Sequence, residues 1–475
     1  MRVYLDKQIF SHLFKNNKDD YKKLYTKLIH SKSNVTFCYS NAHIQDLSND
    51  PTGIKFEELE FMKNLVERNY ISYDSDKKTT NPYLVYPYEA FDSHSSFLDS
   101  DNYESLFDNI DTTYFTDEQK QKFESTMQIF NDSKIDFSFL KYSNIPPQYQ
   151  QIIDKVIPNK KEMMSIKDIF EVALSLVDGL YNDKTIYKNL RGYIDNNFNN
   201  GKYTLNYNDI NFNDDLKNSS IEKSFIEFVK DNLFEKDLLK ISNYDFYVSA
   251  YMSLDLLGIS KEPSGKVKFK NLLNDSLHSY YGAHCDIVVS EDIGFLKKSK
   301  ALYKLLKIDT KIMHINDFIK SYSFSIGQNE SGAKIFTDLL ENDLANGLVI
   351  NEKKSLKYNR ITQTIKSSNN YLGHFNKIDV IKQDGNSFIY LYHKVNNYSN
   401  FIFYSEIELI INNSIRLFGI DSNLKGEFEQ KEIFEINNNK WEGRTWNFNK
   451  YKFLIEINEG TREIGMTIDL YLNNY

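Results

Sequence analysis

The sequence predicts an α/β protein. A parallel-sheet core is split between residues 1–75 and 241–325, a mostly helical insertion occupies 76–240, and a β-rich, sandwich-like domain follows at 326–475. Three observations carry this reading. Short apolar runs alternate with helix-patterned stretches in both core segments, as in a parallel sheet with crossover helices. The stretch between them is polar and contains long Asn- and Asp-rich runs such as Asp195 to Asn218. Beyond 326 the apolar residues recur with period two.

In the first segment, Val3-Tyr4-Leu5 is an apolar run suited to a buried strand. Residues 7–30 carry helical spacing, Asn34 to Tyr39 forms a second apolar run, and 41–47 open another helix. Within the insertion, Ser165 is placed to cap a helix with Ile166, Ile169, Phe170, Ala173, Leu174 and Val177 on one face. Ile221, Phe225, Phe228 and Val229 mark a second helix there.

The other core segment reads as a helix at 242–257, a lysine-bearing loop from Lys261 to Lys270 and a helix at 270–283. A strand from Asp286 to Ser290, a helix at 293–306 and a strand from Thr310 to His314 follow. In the last region, after a short helix at 333–345, the stretches 388–395, 401–411 and 451–457 read as strands. Asp384-Gly385 is a hairpin turn signal.

The chain has 475 residues, 41% of them hydrophobic, enough for at least two cores. Mean hydropathy is −0.54, and no run approaches the ~20 apolar residues of a membrane span. Met1 to Phe14 lacks the long apolar stretch and small-residue cleavage site of a signal peptide. The only cysteines are Cys38 and Cys285. A reducing, cytoplasmic setting is expected, with both thiols in the core. The net charge of −8 argues against coating nucleic acid through bulk charge. It does not argue against a nuclease, whose catalytic carboxylates are themselves acidic. The histidines show no zinc-type spacing, and no glycine-rich phosphate loop or nucleophile elbow occurs.

Acids gather near strand ends. Asp6 follows Val3-Tyr4-Leu5, Asp46 lies on the helix after the second strand, and Asp286 and Asp292 bracket the strand near 288. Asp275 lies on the helix before that strand. Functional groups in open parallel sheets collect outside the carboxyl ends of the strands. His43 with Asp46 and Asp275 with His278 are each i, i+3 pairs on one helix face. Crowded carboxylates repel, and a divalent cation relieves the conflict. Mg²⁺ or Mn²⁺ prefers such oxygen ligands and can support attack on a phosphodiester.

These segments resemble the PIN-like nuclease superfamily: Val3-Tyr4-Leu5-Asp6, Ser40 to Leu47, Asp275-x-x-His278, and Cys285-Asp286 to Asp292 followed by Phe295-Leu296-Lys297-Lys298. More narrowly, they resemble a larger bacterial PIN-like group with an insertion and a C-terminal extension. The resemblance implies a PIN-like (Rossmann-like) core holding one or two Mg²⁺ or Mn²⁺ ions. Its acids fall on Asp6, Asp46, Asp275 and Asp292, with Asp286 as a fifth candidate ligand. Ser290 stands where the family often has Thr and keeps the hydroxyl. Asp46 stands where relatives often have Glu. The insertion has no counterpart in a minimal PIN domain.

His43, His278 and Ser290 are expected to support the acids, and Lys270, Lys297 and Lys298 to contact the phosphate backbone. Each acid alone fits a strand end or helix cap equally well, and a solvated face fits the lysines. The joint order of the acids favours the nuclease. The implied activity is an endonuclease with RNA favoured over DNA, by extension a toxin or anti-phage effector. A protein partner or self-association through the C-terminal domain is also expected, and no membrane. The rivals are a DNA-directed enzyme of the same fold and a non-catalytic protein-interaction module.

Overall fold

The computed structural model describes residues 1–15, 19–32, 35–98, 242–260, 268–321, 330–393, 403–458 and 463–470. Between 99 and 241 it describes shorter stretches, chiefly 184–199, 212–219 and 221–231. The chain divides into two compact units. One holds 1–90, 280–296 and 306–475; the other holds 91–279 and 297–305.

The first unit is mixed α/β. Its six-stranded sheet is ordered around β1 (Arg2–Leu5), whose Val3, Tyr4 and Leu5 are fully buried. On one side β1 pairs in parallel with β2 (Thr36–Ser40). β2 pairs in parallel with β3 (Asn69–Asp74), which closes antiparallel on β4 (Thr79–Leu84). On the other side β1 pairs in parallel with β7 (Ile287–Ser290), and β7 with β8 (Lys311–His314). The order β4-β3-β2-β1-β7-β8 therefore reverses direction between β1 and β7. β1, β2 and β7 are buried at every position, which is why they read as continuous apolar runs rather than alternating ones. Helices Lys7–Lys15, Asp19–Ser31, Asn41–Ser48 and Ile54–Val66 connect the early strands.

The same unit carries a seven-stranded antiparallel sheet, ordered β13-β14-β15-β12-β11-β10-β9. These strands are β9 (Val349–Ser355), β10 (Arg360–Tyr371), β11 (Phe375–Gln383), β12 (Asn386–Tyr392), β13 (Arg444–Phe448), β14 (Tyr451–Ile457) and β15 (Ile464–Leu470). Period-two burial is clear in β14, where Tyr451, Phe453 and Ile455 point inward. Asp384 and Gly385 both have positive φ (51° and 85°) and turn β11 into β12, as a two-residue hairpin with matched twist requires.

Residues 401–411, read from sequence as a strand, lie mostly in the helix Phe403–Phe418. Ile407, Ile410, Ile411 and Leu417 follow helical spacing and are buried. With Phe336 and Leu340 of helix Glu330–Asn346, they cover one face of the sheet through Ile378, Leu391, Phe453 and Ile468. Among the described residues the layer facing this sheet is helical, where a sandwich would have a second sheet. Trp446 is a buried residue of β13. Both sheets fall in one compact unit. Buried pairs cross between them: Arg2 of β1 binds Glu406 of helix Phe403–Phe418, with Nη2 to Oε2 at 3.1 Å.

Gly443, just before β13, has φ +82°, and a Cβ there would collide with the Ile455 carbonyl oxygen. Gly443→Ala is expected to cost about 1–3 kcal/mol through strain and displacement of β14. A urea unfolding midpoint equal to that of wild type would contradict this.

The second unit packs helices Lys184–Phe198, Phe225–Asp231 and Asn243–Leu256. Residues 269–279 of helix Phe269–Gly282 also belong to it. Phe225, Tyr247, Tyr251 and Leu254 are buried. Buried Asp255 accepts from Tyr187 (2.8 Å) and Arg191 (3.2 Å). Of the polar run Asp195 to Asn218, Asp195 lies in the first of these helices, and residues 212–218 form a short helix and a 3₁₀ turn. Ser165, expected to cap a helix, ends the short strand β6 (Met163–Ser165) paired with β5 (Lys134–Asp136). The rest of that expected helix, 166–177, lies outside the described residues.

Candidate acidic site at the carboxyl ends of the parallel strands

Asp6 is the first residue beyond β1, and its backbone N–H donates to Val289 of β7 at 2.9 Å. That bond extends the ladder one residue past the strand and delivers the Asp6 side chain to the rim. Ser290, the last residue of β7, is fully buried. Its hydroxyl donates to Asp6 Oδ2 at 2.6 Å and accepts the Asp292 N–H at 3.0 Å. One hydroxyl thus ties the Asp6 carboxylate to the Asp292 backbone. Asp292 is exposed and caps the helix Ile293–Leu305, its Oδ1 accepting the Phe295 N–H at 2.9 Å. The capping role is real, and the residue still lies at the strand-end crevice where the sheet order reverses.

His43 fixes the neighbouring helix. Ser40, at the end of β2, caps helix Asn41–Ser48, and the Ser40 N–H donates to His43 Nδ1 at 3.1 Å. A nitrogen that accepts carries no proton, so the proton lies on Nε2, which donates to the Leu5 carbonyl at 2.8 Å. Both nitrogens of this fully buried ring are used, which makes His43 a positioning residue and not a ligand. Asp46 lies one turn further along the same face and is half-buried. The Tyr4 hydroxyl joins this scaffold through Ser40 Oγ at 2.7 Å.

Sequence reasoning missed the rest of the rim. Glu58 of helix Ile54–Val66 is buried; it accepts from Ser11 at 2.6 Å and pairs with Lys7 at 3.2 Å. His12 pairs with Glu291 at 3.2 Å. Lys7 and Glu291 are chain neighbours of Asp6 and Asp292, but a single charged residue on an amphipathic helix gives no signal of which partner it meets.

Asp275, His278 and Lys270 belong to the second unit, on helix Phe269–Gly282. Asp275 is half-buried, His278 buried and Lys270 exposed. Lys297 is half-buried, whereas Lys298 is fully buried with its ammonium 5.5 Å from the centre of the Tyr251 ring. Lys298 is therefore not a surface contact for phosphate. Helical phase explains this, since Lys298 shares its face with buried Phe295, Ala301 and Leu302.

Asp286 is also corrected. It precedes β7, so it sits at the opposite end of the strands from Asp6. Its carboxylate accepts from the Arg2 backbone N–H at 2.8 Å and from His393 Nε2 at 2.7 Å. Burial alone would raise its pKa; the pairing with His393 outweighs burial and holds it well below the usual carboxylate range. Asp286 thus cannot share an ion with Asp6.

Among the described residues, the one group of three acidic, His or Cys side chains with ligating atoms within 4.8 Å of one another is His374, His393 and Glu406. Asp6, Asp46 and Asp292 are not drawn together to that degree. Cys38 and Cys285 are free and buried, and burial, then Cys38 beside it, pushes the Cys285 thiol up. Both are core thiols. No helix among the described residues is long and apolar enough to cross a membrane. Neither the models of known protein families nor the curated proteins include one that matches this chain.

Proposed function

We propose that the chain is a metal-dependent endonuclease of PIN-like architecture, with RNA favoured as substrate. The observation that carries this reading is the placement of Asp6 and Asp292. They follow adjacent parallel strands, on either side of the point where sheet order reverses, and Ser290 joins them.

The donor chemistry fits a hard cation. The carboxylates Asp6 and Asp292 stand at this rim, and of the imidazoles near it His43 has both nitrogens engaged while His12 pairs with Glu291. Oxygen donors of this kind suit Mg²⁺ or Mn²⁺ rather than zinc. Asp6 and Asp292 would hold the ion, with Asp46 completing the acidic set. A cation there supplies an activated water and charge neutralisation at the phosphate. Ser290 holds the Asp6 carboxylate in one orientation and fixes the turn that presents Asp292. The capping geometry of Ser40 and His43 keeps the Asp46 helix against the end of β1.

The test is cleavage of matched single-stranded RNA and DNA with added Mg²⁺ or Mn²⁺. Cleavage is expected to stop on chelation and return with the metal, and to be greater on RNA. Preference for DNA selects the DNA-directed enzyme. Absence of metal-dependent cleavage of either strand leaves the protein-interaction module and removes the nuclease.

A further inference from the structure

We propose a second, distinct metal site of the transition-metal class, formed by His374, His393 and Glu406 where the two sheets of the first unit meet. It does not depend on the nuclease reading, because it lies at the opposite end of β1 from Asp6.

The fold assembles the three residues from separate elements. His374 immediately precedes β11 and His393 immediately follows β12. These strands pair antiparallel with Lys377 opposite Tyr392, so both histidines fall at the same end of the hairpin. Their rings stand 4.8 Å apart between centroids, tilted by 71°. Glu406 comes from the first turn of helix Phe403–Phe418 and has Oε1 4.0 Å from His374 Nδ1. All three side chains are buried.

His393 supplies the observation that points to a ligand. Its Nε2 is held by the Asp286 carboxylate at 2.7 Å. Its Nδ1 is buried and has no hydrogen-bond partner among the described residues. A carboxylate on one ring nitrogen that leaves the other without a partner, beside two further ligand groups, is the arrangement found around metal-bound histidines. The carboxylate sets the tautomer and raises the basicity of the coordinating nitrogen.

Two carboxylates, Asp286 and Glu406, stand beside the Arg2 guanidinium and the buried Met1 amino group. Arg2 grips Glu406 through both oxygens, yet each carboxylate oxygen has two lone pairs, so the pair orients Glu406 without exhausting it. Two imidazoles and a carboxylate suit Zn²⁺, with a fourth position for water. Ligands on a tetrahedral Zn²⁺ lie about 3.4 Å apart. The present separations, up to 4.8 Å, close to that by side-chain rotation of about an ångström.

The experiment uses the full chain, stripped with chelator and titrated with Zn²⁺ alone, and with Co²⁺ as the coloured probe. One equivalent should bind with the visible bands of tetrahedral Co²⁺, and should bind equally in Asp6→Asn. His393→Gln should abolish that equivalent, and Asp286→Asn should weaken it about 10–100-fold by releasing the His393 ring. X-ray absorption on the zinc-loaded wild-type chain should report two imidazoles in the coordination shell, a readout that needs no variant to fold. The proposal is overturned if the wild-type chain binds no Zn²⁺, if its zinc has only oxygen ligands, or if folded His393→Gln binds as wild type does.

Discussion

Asp6→Asn is expected to lower metal-dependent cleavage by about 10³-fold, equivalent to about 4 kcal/mol of transition-state stabilisation. The substitution is nearly isosteric. An amide oxygen at this position still accepts the Ser290 hydroxyl that now meets Asp6 Oδ2 at 2.6 Å, and the backbone bond to Val289 is unaffected. The ladder between β1 and β7 is therefore kept, and the change removes charge rather than structure. A neutral amide is a poor ligand for a hard dication, so the loss should appear as reduced turnover with an unchanged unfolding midpoint. In cells, wild-type expression should arrest growth while Asp6→Asn should not, as expected of an enzyme that cleaves cellular RNA. Equal cleavage by the two proteins, measured under the same Mg²⁺ or Mn²⁺ conditions, would remove the nuclease reading.

Arg444→Met should produce the largest loss of stability, about 3–5 kcal/mol. Arg444 is completely buried in β13. Nη1 meets Asp421 Oδ2 at 2.6 Å and the Gly426 carbonyl at 2.8 Å; Nη2 and Nε meet the two oxygens of Glu432 at 2.6 and 2.9 Å. Trp441 Nε1 also donates to Glu432 at 2.9 Å. Asp421 in turn holds the backbone N–H groups of Asn423, Lys425 and Gly426. Removing the guanidinium leaves two buried carboxylates facing one another without a cation, and that penalty, rather than any lost attraction, dominates.

The pH dependence has a definite sign. Burial alone would raise the Glu432 carboxyl, but its hydrogen bonds from Arg444 and Trp441 outweigh burial and lower it from 4.5. A lowered folded-state value contributes stability that is present above about pH 4.5 and lost as pH falls through the folded value. The gap between wild type and Arg444→Met should therefore narrow in acid. A gap below about 1 kcal/mol at neutral pH would show that the ion cluster is not what holds this region together.

The acidic rim was readable from sequence because each of its signals is local. An apolar run that ends in Asp6, and another that ends in Ser290-Glu291-Asp292, locate strand ends without knowledge of any partner. His43 was readable for the same reason, three residues before Asp46 on one helix. Two misreadings had usable signals. The phase of Lys298 against Phe295 and Leu302 marks a buried face, and the spacing of Ile407, Ile410, Ile411 and Leu417 marks a helix where the aromatic run around 401–404 suggested a strand. Nothing local announced that Asp286 would serve His393, 107 residues away, or Arg2 serve Glu406, 404 residues away.

By itself, the sequence determined that β1, β2 and β7 are buried strands and that Asp6 and Asp292 stand beyond strand ends. Those properties follow from side-chain period and backbone sterics within a few residues. The tertiary structure decided that β1 lies beside β7, so that Ser290 reaches Asp6 across 284 residues, and that Asp286 faces the C-terminal sheet instead of the acidic rim. Strand neighbours are selected by the free energy of burying whole faces of a sheet, which is summed over distant segments and is carried by none of them alone.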